Sequence, residues 1–131
     1  MKTILTTVIL LLLTAGCTAQ PQTAPHTRHE KKYVMVQSGE ASWYSTRCNG
    51  GTRTASGISL RDHAATAAHK TLPFGTHVKV TNSKNGRSEV VKITDRGPYK
   101  RGRVIDVTAG VAHRLGFKSQ GVAKVKLEVL K

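Results

Sequence analysis

Asp95, Asp106 and His69 are the side chains of this 131-residue sequence best suited to moving protons. A carboxyl group that holds its proton near neutral pH can protonate a leaving oxygen and later recover a proton, and an imidazole can assist it. Asp95 stands in Thr94-Asp95-Arg96-Gly97-Pro98-Tyr99, behind an alternating apolar stretch and ahead of a Gly-Pro turn that would lift its side chain to a rim. Each of the three also has a plainer reading. Asp95 is a residue type that bonds its own backbone in turns, Asp106 precedes a helix whose start favours negative charge, and His69 fits a satisfied buried imidazole. Arg96, Lys100, Arg101 and Arg103 lie within eight residues of Asp95. Nearby cations favour the ionised carboxylate, so burial must outweigh them if Asp95 is to act as an acid. The sequence contains no metal-ligand cluster, phosphate loop or nucleophile elbow, and no metal or cofactor is expected. Cys48 stands apart from other potential ligands and reads as a small buried residue.

The elements that must position these groups are short. Ala41-Ser42-Trp43-Tyr44 reads as a strand, and Cys48 to Gly57 as a loop broken by Asn49, Gly50, Gly51 and Gly57. Val78 and Val80 alternate with Lys79, Val91 and Ile93 alternate with Lys92, and Asn85-Gly86 between them signals a hairpin. Val104-Ile105 forms another apolar piece. Val125, Leu127 and Val129 alternate with polar residues as a half-buried strand does. Thr108 can cap a helix carrying Val111, Ala112 and Leu115, with Gly116 to end it. About six short strands with one or two short helices predict a mainly β fold, a closed barrel over residues 39–131 whose closure removes exposed edges.

The N-terminus is of another kind. Lys2 precedes an apolar run from Ile4 to Leu13, interrupted only by Thr6 and Thr7 and ending in Leu13-Thr14-Ala15-Gly16-Cys17. Such a run is shorter than the roughly 20 residues that span a bilayer and suits a signal-peptide core. The expected organisation is a signal peptide over 1–16, a flexible tether over 17–38 and the barrel over 39–131. The Leu13–Cys17 segment resembles the lipobox of bacterial lipoproteins, which implies lipidation at Cys17. Thr18 follows the cysteine where an inner-membrane retention signal would have Asp, so the outer membrane is the expected destination. The chain carries 21 Lys and Arg against 7 Asp and Glu, net +14, and removal of residues 1–16 takes away Lys2 alone. Export excludes nucleic acid as the partner of that charge. The polyanions outside the inner membrane, among them peptidoglycan carboxylates, take its place.

Gly39-Glu40-Ala41-Ser42-Trp43-Tyr44, Thr66-Ala67-Ala68-His69-Lys70-Thr71-Leu72-Pro73-Phe74-Gly75, and Thr94 to Tyr99 running on to Arg103-Val104-Ile105-Asp106-Val107-Thr108, together with Val80-Thr81-Asn82 and Asn85-Gly86-Arg87-Ser88, resemble the rare lipoprotein A family in order and spacing. The resemblance covers residues 39–131. It implies a six-stranded double-psi β-barrel and lytic transglycosylase activity on peptidoglycan glycan strands, with Asp95 as acid and base, His69 assisting and Asp106 as second candidate. Trp43, Tyr44, Arg96, Tyr99 and Arg103 are the expected glycan contacts, although Trp43 and Tyr44 also read as core. The family pattern has Glu directly after the segment matching Thr54-Ala55-Ser56-Gly57 and Asp three places later; here those positions are Ile58 and Arg61, with Asp62 adjacent. That departure favours the alternative of a non-catalytic, expansin-like wall-binding module. A purely structural envelope lipoprotein is a third reading.

Overall fold

The computed structural model describes residues 33–48 and 51–131; the expected signal peptide, the Cys17 anchor and the first part of the tether lie outside them. Along the chain come β1 (Tyr33–Tyr44), β2 (Thr66–Ala68), β3 (His77–Asn82), β4 (Ser88–Asp95), β5 (Arg103–Thr108), α1 (Ala109–Arg114) and β6 (Val122–Leu130). The strands close into a barrel in the order β1-β5-β2-β4-β3-β6. The β1–β5 and β2–β4 pairs are parallel and the others antiparallel.

Period-two alternation fills this barrel. Val78 and Val80 on β3, Val91 and Ile93 on β4, Ile105 and Val107 on β5, and Val125 and Leu127 on β6 are buried in one cluster. Each such side chain contributes about 1.5–3 kcal/mol by leaving water. Cys48, expected to be buried, is instead an exposed free thiol on the turn after β1, so its small apolar character is not what places it there.

The barrel also begins earlier than residue 39. β1 starts at Tyr33 and pairs with β6 from Tyr33 opposite Leu130. Residues 33–36 are exposed, so backbone pairing recruits them, and that leaves no trace in hydrophobic periodicity.

The helix ends as its residues predict. Gly116 takes a positive φ of 80°, and the amides of Gly116 and Phe117 donate to the carbonyls of His113 and Ala112, both at 3.0 Å. This is a Schellman ending. At the other end Thr108 is the N-cap residue, but its hydroxyl donates to the Ala64 carbonyl at 2.6 Å and ties the helix to the loop before β2. The Asn85-Gly86 turn belongs to a loop over residues 83–87, longer than a two-residue hairpin. Asn82 and Asn85 both donate to the Leu115 carbonyl, at 3.0 and 2.9 Å. The hairpin thus caps the helix.

Candidate active site

β2 brings the two aspartates to one level of the barrel wall. Ala68 pairs with Asp95 on β4 and with Asp106 on β5. Ala67 points into the core, so Ala68 faces outward, where it packs with Tyr44 and Leu60. Residues paired across a sheet share a face, so both aspartates take the outer one. Asp95 reaches that face through an irregularity. Ala67 pairs with Ile93 but Ala68 with Asp95, leaving Thr94 as the extra residue of a bulge. Without it Asp95 would share the face of Ile93, inside the barrel. With strands about 4.8 Å apart, the two aspartate backbones stand roughly 10 Å apart across β2.

The half-buried carboxyl of Asp95 is held on one side only. Its Oδ1 accepts the amides of Ala55 and Arg96, both at 2.9 Å, while Oδ2 has no hydrogen bond among the described residues. The Arg96 guanidinium turns away from the carboxylate. It donates to the carbonyls of His69 (3.1 Å) and Leu72 (2.8 Å) and lies 4.1 Å from the centre of the Phe74 ring. Asp95 takes part in none of the salt bridges among the described residues. Arg96, expected to contact glycan, is therefore spent on the turn that follows β2.

Asp106 is half-buried and accepts a hydrogen bond from the Ser42 hydroxyl on β1. Burial raises its pKa above the ordinary aspartate value, and the Ser42 bond and the Arg103 charge draw it partly back. Between the two aspartates stands Tyr44, only 6% exposed. Burial first, and then the charges of Asp95 and Asp106, push its phenol well above the usual tyrosine range. The Thr66 and Thr94 hydroxyls adjoin it and act in the opposite sense, but neither meets hydrogen-bond geometry, and among the described residues the buried Tyr44 hydroxyl has no partner. Tyr44 is thus no exposed platform for a sugar; its hydroxyl lies within the field of both carboxyls.

His69 is 4% exposed, and both ring nitrogens are occupied. Nδ1 accepts the amides of Thr71 (3.2 Å) and Leu72 (3.1 Å), so Nε2 carries the proton and donates to Gln37 Oε1 at 3.1 Å. Burial, then Arg96 and Lys70, lower its pKa, which keeps the ring neutral. Its link to Asp95 runs through the backbone, the His69 amide donating to the Asp95 carbonyl at 3.2 Å. The ring lines a cleft of about 420 Å³ with Gln37, Arg103 and Val104. Tyr99, on the turn after Asp95, is 79% exposed. Trp43 sits elsewhere, on a separate cleft of about 580 Å³. Asp62, next to Arg61, lines that second cleft too. Its carboxylate accepts the amide and hydroxyl of Thr46 at 2.8 and 3.1 Å, so it does not join the Asp95–Asp106 pair.

The family model described as "Lytic transglycolase" matches residues 36–127. This chain belongs to that family. A protein of Synechocystis sp. named "Probable endolytic peptidoglycan transglycosylase RlpA" is 53% identical over 95 residues, covering 72% of this chain and 29% of the relative. The "Endolytic peptidoglycan transglycosylase RlpA" of Neisseria meningitidis is 50% identical over 94 residues, covering 72% of this chain and 39% of its own length. The chain therefore spans well under half the length of these relatives. Among solved structures, the Streptomyces papain inhibitor aligns with a TM-score of 0.59 at 20% identity, over 76% of this chain and 97% of that one. The Clavibacter michiganensis expansin aligns at 0.58 and 19%, over 74% and 51%. These likenesses show the fold, a double-psi β-barrel. Ile58, directly after Gly57, is 49% exposed, and Arg61 is exposed as well. Ser42 beside Asp106, and Thr66 and Thr94 beside the Tyr44 hydroxyl, are not singled out by the sequence. Ser42 and Tyr44 share a strand face by their spacing of two, and that was the one available signal.

Proposed function

We propose that this chain is an endolytic peptidoglycan lytic transglycosylase that cleaves the bond between N-acetylmuramic acid and N-acetylglucosamine and leaves 1,6-anhydromuramic ends. The observation that carries the reading is the pair of half-buried carboxyls on one outer face, Asp95 with a free Oδ2 and Asp106 with a raised pKa, around an unpartnered tyrosine hydroxyl. Family membership and the peptidoglycan transglycosylase names of the relatives support it.

Asp95 in its acid form donates its proton to the glycosidic oxygen as the C1–O bond breaks. The 6-hydroxyl of the same muramic ring attacks C1, and its proton passes to the Asp95 carboxylate, so the acid is restored and no water is consumed. Asp106 is the neighbouring proton holder. His69 assists as a positioning residue, its ring fixing the 69–72 turn and its amide the end of β4. Arg103 in the adjoining cleft and the exposed Tyr99 contact the glycan. The chain works in the cell envelope, with diacylglycerol attached to the Cys17 thiol before signal-peptide removal and palmitate added after it, and is held at the periplasmic face of the outer membrane.

The test treats purified glycan strands with the protein and resolves the products by mass. Wild type yields anhydromuramic ends and Asp95→Asn, which keeps an Oδ1 acceptor for both amides, does not. Wild-type protein that is folded and yields no such ends would refute the proposal. Ile58 and Arg61 favour the alternative of an expansin-like binding module. It predicts sedimentation with sacculi, weakened by salt because screening shortens to about 8 Å at physiological ionic strength, with no cleavage products.

A further inference from the structure

The largest cleft described above takes no part in the proposed chemistry. It opens between the turn after β1, the loop over residues 61–63 and the face of α1, with Trp43 as its aromatic wall. Its walls are tied to each other. Asp62 grips the amide and hydroxyl of Thr46 through its carboxylate, and its carbonyl accepts the Gly110 amide at 2.7 Å. Gly110 is needed for that approach, since a Cβ there would stand 2.8 Å from the Asp62 carbonyl oxygen and 2.9 Å from His63 Cα. A cleft braced in this way is formed before any ligand arrives, and that lowers the entropic cost of binding.

Its charge is one-sided. Arg47, Arg114 and Lys118 line it against Asp62 alone, whose carboxylate is already bonded. Arg114 is neutralised by Glu89 through contacts of 2.8 to 3.1 Å, but Arg47 and Lys118 have no acidic partner within salt-bridge distance among the described residues. The Lys118 ammonium lies 5.7 Å from the centre of the Trp43 ring, and the indole nitrogen donates to the Lys118 carbonyl at 3.1 Å. The indole is fixed by that bond and by packing partly against the core, and the part of it that lines the cleft, with an unpaired ammonium over the ring, suits a sugar with an apolar face and a carboxylate beside it.

We infer that this cleft is a second saccharide site, separate from the Asp95–Asp106 face, which binds a carboxylate-bearing pyranose with its ring against Trp43 and its carboxylate on Lys118 and Arg47. The choice of an acidic amino sugar rests on the glycan reading above; the preference for an anion rests on the cleft alone.

Trp43 is the sole tryptophan of the chain, so indole fluorescence reports on this cleft directly. The intact protein is titrated with N-acetylmuramic acid, with uncharged N-acetylglucosamine and with acetate. The expected result is a saturable fluorescence change with the acidic sugar, about tenfold weaker affinity for the uncharged one and no change with acetate. Arg47→Gln with Lys118→Gln, both at exposed positions, abolishes that tenfold preference while circular dichroism remains that of the wild type. Asp95→Asn binds as wild type does. The inference is overturned by the absence of a saturable change, by equal affinity for the two sugars, by an equal response to acetate, or by loss of binding in Asp95→Asn. Cleavage without cleft binding refutes this site and spares the enzyme; cleft binding without cleavage does the reverse.

Discussion

The outer face of β2 and the Trp43 cleft use charge in opposite ways. Around Asp95, Tyr44 and Asp106 the groups are half-buried or buried, the nearest arginine in sequence is turned onto backbone carbonyls, and a phenol hydroxyl goes unpartnered. Around Trp43 the cations Arg47 and Lys118 stand open to solvent, and the one carboxylate is locked into the wall. A carboxyl that must hold and release a proton gains from desolvation and from the removal of cations. A site that must capture an anion needs unpaired cations that water can reach. A net charge of +14 thus says little about either region until the partners of each charge are known.

The comparison breaks most readily at Asp95. Asp95→Asn should cost roughly 10²- to 10⁴-fold in the rate of anhydromuramic end formation, with the thermal midpoint close to that of the wild type because Asn keeps the acceptor for the Ala55 and Arg96 amides. A rate within a few fold of wild type would move the chemistry elsewhere. His69→Ala is next. It leaves the Thr71 and Leu72 amides without their acceptor and should cost about 1–3 kcal/mol in urea unfolding. His69 also contributes a pH effect of definite sign. Its folded pKa is depressed, so its contribution is present above the unfolded value of about 6.5 and is lost as the pH falls through the folded value. The stability gap between wild type and His69→Gln should therefore narrow on acidification.

How much of this was legible depended on whether a feature is local. Period-two alternation at Val78/Val80 and Val125/Leu127 and the Gly116 helix ending depend on near neighbours, and both are found where the residues place them. β2 is three residues long, Thr66-Ala67-Ala68, and exists because β4 and β5 flank it; nothing in its own composition announces a strand. The bulge at Thr94 turns Asp95 outward and is visible only once pairing is known. Family resemblance singled out Asp95, Asp106 and His69, but not that the His69 ring is spent on Gln37 and two amides, nor that the Arg96 guanidinium turns away from the carboxylate to which its amide donates. Trp43 and Tyr44 are adjacent in sequence, and strand alternation puts Trp43 on the side of the core, where its uncovered part borders the cleft, and Tyr44 on the outer face with the aspartates.

Two smaller effects sharpen the contrast. Tyr44→Phe removes a buried hydroxyl that has no partner among the described residues, so stability should rise by about 1 kcal/mol or stay level. A loss of comparable size, read from the denaturant midpoint, would mean that the hydroxyl is bonded. Asp106→Asn should show the mirror image of His69. The folded pKa of Asp106 is raised, so the wild type loses stability as the pH climbs from the unfolded carboxylate value of about 3.9 through the folded one. Thermal midpoints across that range should favour Asp106→Asn increasingly as the pH rises, and parallel curves would contradict the burial argument.

The most direct measurement digests purified glycan strands in water enriched in heavy oxygen and weighs the new ends. Intramolecular attack, with Asp95 cycling one proton, predicts anhydro ends that carry none of the label and that vanish in Asp95→Asn. Label at the new reducing ends would mean hydrolysis, and strands left intact by folded wild-type protein would mean a binding module on the same barrel.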